Sequence, residues 1–463
     1  MTDDMEDLAL VVIGAGPAGL SCAIRARELG LDVVVLDENP KPGGQIYRQL
    51  PDVFEVEDAK PLGSTFQRGE TLLQATRGAG IEVRNDTMVW DLSKDLTLKA
   101  VTAGEMKTIK ARHVILASGA YDRPVPVPGW TLPGVFTVGG AQNLLKSQQV
   151  LVGNRVLLAG TGPLLLVVAS QLAKAGAEVV VADPVPRRAA FRRLPALLSD
   201  LPLLRDGAKY HLSLMRRRAK WRSPFILTSI SGDGQAEQAT IERVDSSWSV
   251  IPGTQETYSV DAVCMGYGLL PSIDLARLAG CDLEWDDLAY AWVPAVDEDF
   301  STSVSGLSII GDGAGIAGAK AASEQGRIAA VAAGRDLGHL SPADVPELQR
   351  EARRNLRSLD RFRAAMDELY SPKPGLFELA MPNAVVCRCE EVTAADIQEE
   401  ITSGIHRVPN LKSWTRVTMG PCQGRMCLPW ILMHLAKEGG VHPRELVPPR
   451  ARAPTKPLPM SWF

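Results

Sequence analysis

Apolar runs and helical stretches alternate with glycine turns along most of the chain. Residues 8–13 form an apolar run that ends at a glycine, residues 17–29 have helical spacing, and residues 32–36 form a second apolar run. Short apolar runs between turn signals are typical of buried strands. The pattern therefore predicts a strand, a glycine turn, a helix and a second strand parallel to the first.

The same order of elements occurs a second time at residues 155–182. A helix of small residues is predicted from Gly318 to about Gly334. Further apolar runs predict strands at residues 78–83, 113–117, 259–265 and 307–310. Alternating strands and helices indicate an α/β protein with parallel sheets.

Beyond the small-residue helix the pattern changes. Residues 341–370 are rich in Arg and Glu and carry leucines at helical spacing, which predicts a helical connector. The sequence Ser-Pro-Lys-Pro-Gly at residues 371–375 marks its end. In the compact cysteine-containing segment that follows, Thr393 is predicted to cap a helix to about Ser403. Residues 443–463 form a proline-rich tail.

Composition and charge restrict the function classes. A chain of 463 residues with 45% hydrophobic residues suggests a globular protein of several domains. The formal net charge of −4 gives no reason to expect nucleic acid as a partner, and the basic run at residues 216–222 is interpreted as a solvated helix face or loop. No run of eighteen apolar residues is free of charges, so no membrane span is expected. Because residues 1–7 are acidic and unlike a secretory signal, we expect a cytoplasmic chain, with peripheral attachment to a membrane left open.

The first glycine turn has the spacing G-x-G-x-x-G between a strand and a helix. Gly14 allows the tight turn, Gly16 lets the backbone approach a pyrophosphate, and Gly19 lets the helix pack closely on the strand. The helix N-terminus supplies N–H groups and partial positive charge to phosphates. Asp37 ends the second strand, where a carboxylate would bind ribose hydroxyls. Together these features predict a dinucleotide site.

Two later segments favour FAD as this dinucleotide. Gly311 and Asp312 follow an apolar strand and precede the small-residue helix. They resemble the place in flavoproteins with two dinucleotide-binding domains where an Asp binds the ribityl chain; the alternative is that Asp312 caps the helix. Residues 114–119 resemble the Ala-Thr-Gly strand of these proteins, with Ser118 in place of Thr.

The second glycine turn departs from the same spacing. Gly160 and Gly162 are present, but Leu165 holds the third position, where it should push the helix away from the strand. Asp183 follows the second strand and is itself followed by a proline. NAD, another nucleotide or no ligand remain open for this site. No C-x-x-C lies in this part of the chain, so a thioredoxin-reductase type of disulfide is not expected.

Four of the seven cysteines cluster near the C-terminus. Cys387 and Cys389 are spaced C-x-C, and about thirty residues later Cys422 and Cys427 are spaced C-x-x-x-x-C. Four thiolates from two chain points suit an iron–sulfur cluster or tetrahedral zinc. The one-residue gap and the flavin nearby favour a 2Fe–2S cluster; zinc and disulfides are the alternatives. The other three cysteines are predicted to be reduced core residues: Cys22, Cys264 and Cys281.

Four segments together resemble one group of flavoproteins. They are Tyr-Asp-Arg-Pro-Val-Pro-Val-Pro-Gly-Trp at 121–130, Leu-Pro-Gly-Val at 132–135, Pro-Gly-Gly-Gln-Ile at 42–46 and Gly-Pro-Cys-Gln-Gly at 420–424. The group contains the large FAD subunits of opine oxidases or dehydrogenases, hydrogen cyanide synthase and heteromeric proline or hydroxyproline dehydrogenases. Part of the sarcosine oxidase α subunit is also similar. The resemblance extends over nearly the whole chain.

The resemblance implies an α/β fold with two Rossmann-like dinucleotide-binding domains and a small C-terminal iron–sulfur domain. The expected domains are an FAD-binding domain (residues 1–145 and 266–340), an NAD-like domain with a degraded glycine motif (146–265), a helical connector (341–383), a 2Fe–2S domain (384–442) and the tail (443–463). The expected FAD-binding residues are Gly14, Gly16, Pro17, Ala18, Gly19, Asp37, Glu38, Gly44, Gln45, Ser118, Gly119, Gly311 and Asp312.

The resemblance also implies a role in amino acid catabolism. In this group an amino acid or opine is oxidised at a C–N bond on a partner chain, an amino-acid-oxidase-like flavoprotein; a small third subunit stays open. This chain would then relay electrons through FAD and the cluster. No catalytic residue is predicted, since the six histidines form no metal spacing or acid/base pair. The rival hypotheses are an NAD(P)H-dependent reductase and a non-catalytic assembly or redox-sensing subunit.

Overall fold

The first part of the chain supplies most of a mixed sheet. A computed structural model describes residues 5–54 and 64–462; the first four residues of the acidic N-terminus, residues 55–63 and the last residue of the tail lie outside the described residues. The elements in order are β1 (Glu6–Ile13), α1 (Pro17–Glu28), β2 (Val33–Leu36), α2 (Ser64–Gly78), β3 (Glu82–Arg84), β4 (Thr87–Leu92), β5 (Thr97–Thr102), β6 (Glu105–Leu116), β7 (Ala120–Asp122), β8 (Val135–Thr137) and α3 (Val138–Gln148).

A second unit repeats the parallel arrangement. Its elements are β9 (Arg155–Gly160), α4 (Pro163–Lys174), β10 (Glu178–Ala182), α5 (Arg187–Arg192), α6 (Leu194–Leu197), α7 (Leu201–Arg216), β11 (Lys220–Arg222), β12 (Phe225–Ser231), β13 (Gln238–Arg243), β14 (Glu256–Ser259) and β15 (Ala262–Gly266). Five parallel strands form the second sheet in the order β11-β10-β9-β15-β8. Strands β12 to β14 form a separate antiparallel sheet.

The chain then returns to the first sheet. The elements are β16 (Leu269–Pro271), α8 (Asp274–Ala279), β17 (Leu283–Asp286), β18 (Ala291–Pro294), β19 (Leu307–Ile309), α9 (Ala319–Asp336) and α10 (Val345–Tyr370). Strand β19 pairs with β6 and completes a seven-stranded sheet whose main path is β3-β2-β1-β6-β5-β4. Helices α1 and α9 pack together on this sheet, with small side chains such as Ala18, Ala322 and Ala329 at the contact.

The cysteine unit, residues 384–442, has its own apolar core. It contains β20 (Val385–Cys387), β21 (Val392–Thr393), α11 (Ala394–Thr402), α12 (Val408–Thr415) and α13 (Leu428–Gly439). Trp430, Ile431 and Leu435 of α13 pack on Ile397 and Ile401 of α11 in this core. The residues that follow run back over the first sheet.

Several predicted elements are confirmed. Both strand–helix–strand units form, the small-residue helix spans Ala319–Asp336, and the connector contains the long helix α10. Thr393 caps α11 through a reciprocal capping box with Asp396. Cys22, Cys264 and Cys281 are buried free thiols, as predicted. Of the helices in the described part of the chain, none is long and apolar enough to span a membrane.

Three predictions about elements were wrong in detail. The predicted strand at residues 78–83 is mostly the end of α2 and a turn at Gly80, whose φ of +63° ends the helix; only Glu82–Arg84 is a strand. The predicted strand at 259–265 is shorter in the structure: Ser259 is the last residue of β14, and the strand β15 begins at Ala262. The basic run is not all helix or loop, because Lys220–Arg222 pairs in register with β10 as the edge strand β11.

Candidate cofactor sites

The first glycine turn needs glycine for steric reasons. Gly14 has φ +106°, and a Cβ there would overlap the carbonyl oxygen of Ala117 on the neighbouring strand. A Cβ on Gly19 would overlap the carbonyl oxygen of Gly14, so α1 approaches the end of β1 as closely as backbone allows. Gly16 is the N-cap of α1 and Pro17 begins its first turn. The N–H groups of the helix start are therefore available to a phosphate.

The segment that contains Gly44 crosses this turn. Gly44 has φ +61°, and a Cβ there would lie 2.8 Å from the Cα of Gly16. The N–H of Gly43 donates to the carbonyl oxygen of Ala15 at 2.8 Å. The side chain of Gln45 is exposed and accepts a hydrogen bond from Asn143 of α3 at 3.0 Å. This segment thus links the turn to α3, which follows strand β8 of the second sheet.

The two acids after β2 are in different environments. Asp37 is buried, and its carboxylate accepts hydrogen bonds from the N–H of Ala15 at 2.5 Å and of Asn39 at 2.7 Å. It therefore ties the end of β2 to the glycine turn. Glu38 is largely exposed and forms an ion pair with Lys456 of the tail.

The return segment lies beside the same turn. Ser118 donates to the carbonyl oxygen of Ser272 at 2.6 Å, and a Cβ on Gly313 would lie 2.9 Å from its hydroxyl. A Cβ on Gly311 would lie 2.9 Å from the Cβ of Ala18 in α1. The structure therefore brings together the glycine turn, the strand end at Ser118 and Gly119, and the turn that holds Asp312.

Asp312 closes the loop before α9 rather than capping that helix. Its carboxylate accepts the N–H groups of Ala317 at 2.9 Å and Gly318 at 3.0 Å, and Gly318 is itself the N-cap. Only one carboxylate oxygen is used in these bonds, which leaves the other for a hydroxyl donor. The glycine contacts and this acid fit an extended dinucleotide such as FAD.

The second glycine turn differs from the first in the side chains that surround it. Leu165 is buried in the apolar core beneath α4. It is the third position of the second glycine motif, the position that Gly19 holds in the first turn. Gly162, the N-cap of α4, faces Tyr370 at the end of α10, whose ring carbon would lie 4.0 Å from a Cβ there. The aromatic ring thus stands over the helix start where a pyrophosphate would bind.

The acid of this second turn is also enclosed. Asp183 is buried and accepts the N–H of Val185 at 2.9 Å. Burial raises the pKa of Asp183 to about 7. Burial, together with the nearby Asp183, raises the pKa of Tyr370 to about 12. Asp183 is thus as buried as Asp37 of the first turn, but it lies next to the Tyr370 side chain.

The four C-terminal cysteines meet as two pairs. Cys387 and Cys427 are buried and hydrogen-bonded to each other, whereas Cys389 and Cys422 form a second, half-buried pair. Within the described residues, no three ligating side chains converge on one point as around a single metal ion. The charge of Cys387 also acts on Cys389, and that of Cys422 on Cys427, so the two pairs lie near each other.

The backbone around these thiols donates hydrogen bonds to sulfur. The hydrogen bond from Cys427 and the N–H groups of Glu390, Thr418 and Cys389 lower the pKa of Cys387 to about 6. Such a nest of N–H groups stabilises anionic sulfur. A Cβ on Gly420 would overlap that of Cys389, which explains the glycine of the Gly-Pro-Cys-Gln-Gly motif. The residues present therefore fit a four-thiolate cluster.

One strained residue in this nest was not found from the sequence. Thr418 has φ +66°, a rare conformation for a β-branched residue, and its buried hydroxyl has no hydrogen-bond partner among the described residues. Its N–H also donates to Cys427. The sequence offered one signal, the position of Thr418 four residues before Cys422. Its strained backbone agrees with a functional site, where such residues concentrate.

Two families match separate parts of the chain. The family of pyridine nucleotide-disulphide oxidoreductases matches residues 8–202, and the BFD-like [2Fe-2S] binding domain matches residues 385–436. The A subunit of opine oxidase from Agrobacterium tumefaciens (strain Ach5) is 36% identical over 99% of this chain and 92% of its own length. The chain belongs to the family of the opine oxidase A subunit. The HcnB subunit of hydrogen cyanide synthase from Pseudomonas aeruginosa is 32% identical over 99% of this chain and 98% of its own length.

Solved structures show the same fold as this relative of the opine oxidase A subunit. L-proline dehydrogenase from P. horikoshii superposes with a TM-score of 0.70 at 19% identity, covering 99% of this chain and 80% of that one. Thioredoxin reductase from T. acidophilum superposes with a TM-score of 0.54 at 18% identity, covering 72% of this chain and 99% of that one.

The expected fold and cofactors are confirmed by these matches. This chain is an α/β protein with two Rossmann-type domains and a C-terminal 2Fe–2S domain. It is a flavin-dependent oxidoreductase whose cofactors are FAD and a 2Fe–2S cluster. The resemblance to the opine oxidase and hydrogen cyanide synthase group is confirmed as well.

Proposed function

We propose that this chain is the electron-transfer subunit of a heteromeric dehydrogenase for an amino acid or an opine. One observation carries the proposal: Leu165 replaces the third glycine of the second turn and the ring of Tyr370 lies beside its helix start, so this turn lacks the all-glycine geometry of the first. The first turn and the four cysteines are intact. Electrons then enter or leave through the cluster.

The FAD is proposed to lie along the first turn. Gly14, Gly16 and Gly19 would admit the pyrophosphate, and the helix start at Pro17 and Ala18 would donate N–H groups to it. The remaining proposed contacts are made at the rim by Asp37, Glu38, Gly44, Gln45, Ser118, Gly119, Gly311 and Asp312. Asp312 would accept a hydroxyl of the ribityl chain with its free carboxylate oxygen.

The 2Fe–2S cluster is proposed to be held by all four cysteines. The pairing of the thiols supports one iron between Cys387 and Cys427 and the other between Cys389 and Cys422. The half-buried second pair would place one side of the cluster nearer to solvent. A cluster accepts and donates single electrons, which lets it join two carriers.

The chemistry on carbon is proposed to occur on a partner chain. An amino-acid-oxidase-like flavoprotein would remove two electrons and two protons from the C–N bond, and water would hydrolyse the resulting imine to an amine and a carbonyl product. The relatives support a role within a larger enzyme, since the opine oxidase, hydrogen cyanide synthase and sarcosine oxidase relatives are each one subunit of several. A small third subunit would complete the assembly. The complex would lie in the cytoplasm, either free or attached peripherally to the membrane.

The domain boundaries follow the same proposal. We assign residues 1–145 and 266–340 to the FAD domain and 146–265 to the NAD-like domain. The connector takes 341–383, the 2Fe–2S domain 384–442 and the tail 443–463. The return of β19 to the first sheet supports the divided FAD domain.

A reconstituted complex tests the function. The chain is co-purified with the products of its neighbouring genes, and amino acids and opines are screened for reduction of a dye acceptor. We expect dye reduction with a C–N donor only when the partner is present. Flavin bleaching of the isolated chain by micromolar NADH would instead establish the reductase hypothesis. A loaded complex that turns over no donor would favour an assembly or sensing role.

A further inference from the structure

The loop of residues 422–427 is attached to the first sheet by an ion pair. Arg425 lies between Cys422 and Cys427, and its Nε donates to Asp274 Oδ2 at 2.8 Å. Asp274 begins α8, in the segment that returns to the FAD side of the molecule. Both side chains are mostly shielded from solvent, so the pair is stronger than an exposed one.

The proline-rich tail holds the other side of Arg425. The Nη2 of Arg425 donates to the carbonyl oxygen of Thr455 at 2.9 Å, and Gln423 of the 422–427 loop donates to the carbonyl oxygen of Pro454. Thr455 is only 2% exposed and donates its N–H to the carbonyl oxygen of Trp90 in β4 at 3.0 Å. The tail is thus fixed between the cysteine loop and the first sheet.

The same ion pair lies beside the strand that leaves the proposed flavin contact. Strand β7 follows Ser118 and Gly119 directly and contains Tyr121. Tyr121 is half-buried, and burial and the charge of Asp274 raise its pKa while the charge of Arg425 lowers it. Ser272, two residues before Asp274, donates its N–H to the carbonyl oxygen of Gly119 at 2.9 Å. Arg425 therefore connects a cysteine loop to the segment that contacts Ser118 and Gly119.

We propose that Arg425 is a positioning residue for electron transfer between the cluster and the FAD. It holds the 422–427 loop on the FAD domain through Asp274, and the tail keeps its guanidinium in place. The inference rests on the proposed function, because it takes Cys422 and Cys427 as cluster ligands. In each transfer one electron leaves the reduced cluster, whose iron is oxidised, and enters the flavin, which is reduced. Transfer rates fall steeply with distance, so a small displacement of the loop is enough to slow them.

The test compares Arg425→Gln with Asp274→Asn in the full-length protein loaded with both cofactors. After rapid partial reduction, electron equilibration between cluster and flavin is followed by absorbance. We expect each variant to keep its iron, sulfide and FAD and its two reduction potentials, but to equilibrate about tenfold more slowly or worse. The double variant should be no slower than the single ones, because both changes break one contact. Arg425→Lys should recover part of the rate.

Arg416→Gln is the matched control. Arg416 also pairs with an acid beside the cysteines, since its Nε donates to Glu390 at 2.7 Å, but this pair lies within the cysteine unit. We expect a wild-type rate. Amide hydrogen exchange of residues 450–462 gives a readout independent of electron transfer: exchange should quicken in Arg425→Gln and stay unchanged in Arg416→Gln.

The outcomes separate this inference from the proposed function. A wild-type protein without a cluster would refute the function first. A loaded Arg425→Gln protein with a wild-type rate, or an Arg416→Gln protein slowed equally, would overturn the positioning role. If Arg425→Gln loses its cluster, Asp274→Asn decides, because that change lies outside the cysteine unit: a wild-type rate there refutes the role.

Discussion

The indole N–H of Trp130 donates a hydrogen bond of 2.6 Å to the carbonyl oxygen of Val385. Trp130 ends the 121–130 segment that resembles a family signature, and Val385 begins the strand that carries Cys387. The other end of the segment, β7, follows Ser118 and Gly119. One stretch of chain thus extends from the proposed flavin contact to the cysteine unit, which gives a physical reason for its particular sequence.

Trp130→Phe should weaken the attachment of the cysteine unit. The change leaves the part-buried carbonyl of Val385 without its donor, which costs about 1 kcal/mol. Chemical denaturation followed by far-UV circular dichroism measures the loss. Trp414→Phe is the control, because Trp414 is 71% exposed and should change stability by less than about 0.5 kcal/mol. Equal effects of the two changes would contradict the anchoring role.

Gly16→Val should abolish FAD binding. The branched side chain would point into the space between Gly16 and the crossing segment at Gly44, where the pyrophosphate is proposed to lie. The flavin-to-protein absorbance ratio of the purified variant measures the effect. Gly78→Ala is the control, since a Cβ there meets no atom within 4 Å. Stoichiometric FAD in the Gly16 variant would show that the first site is placed wrongly.

Local patterns predicted the parts of the site that are local in the chain. The glycine spacing at Gly14, Gly16 and Gly19 and the cap at Thr393 involve residues a few positions apart, so spacing alone carries the information. The antiparallel strands β4 and β5 were missed because their residues alternate weakly between apolar and polar. Elements with a short or irregular pattern give no clear period.

Contacts between distant segments left no sequence signal. The ring of Tyr370 stands over Gly162, and Arg425 reaches Asp274, although neither pair shares a motif. The sequence could predict from Leu165 that the second turn was altered, but not that a residue of the connector would cover it. Such pairings depend on how whole units pack, which no spacing rule describes.

NADH should neither bleach the flavin of the wild-type chain nor raise its melting temperature. Leu165 replaces the third glycine of the second turn and the ring of Tyr370 lies beside the helix start, so we expect no nucleotide to bind there and stabilise the fold. Stopped-flow absorbance and thermal unfolding with NADH measure both effects. Leu165→Ala should lower stability by about 2–5 kcal/mol without creating NADH reduction. Rapid bleaching of the wild-type flavin would contradict the blocked site.

His113 should make stability depend on pH. It lies in β6, where its Nε2 is within hydrogen-bond distance of the Ser308 hydroxyl on the paired strand β19, and its burial lowers its pKa from 6.5 to about 4. Below pH 6.5 the unfolded chain binds a proton that the folded chain does not accept until about pH 4. The free energy of unfolding should therefore fall over this interval, by at most about 3 kcal/mol.

The difference between wild type and His113→Gln isolates this contribution from other titrating groups. Denaturation is measured at several pH values between 7 and 4. The wild type should lose more stability than the variant as the pH falls, and parallel curves would show that His113 is not neutral in the folded state. His406, which is exposed, provides a control as His406→Gln.

Cys422→Ser should remove or strongly perturb the cluster while FAD remains. Serine is a harder and poorer ligand for iron than thiolate, and Cys422 belongs to the half-buried pair with Cys389. Iron and acid-labile sulfide should fall together, whereas the flavin absorbance should persist, because the FAD turn lies on the first sheet. In the reconstituted complex, dye reduction should fall steeply, yet substrate should still bleach the partner's flavin in a single turnover, since that chemistry precedes the relay.

Cys281→Ser is the matched control for Cys422→Ser, because Cys281 is a buried free thiol packed in the core of the first sheet. It should keep iron, sulfide and FAD. Zinc without sulfide in the wild-type protein would overturn the cluster assignment. A cluster-free Cys422→Ser complex with normal turnover would leave the assignment of the four cysteine ligands standing but contradict the electron-relay role. The cluster would then only stabilise the fold, and electrons would leave the FAD directly.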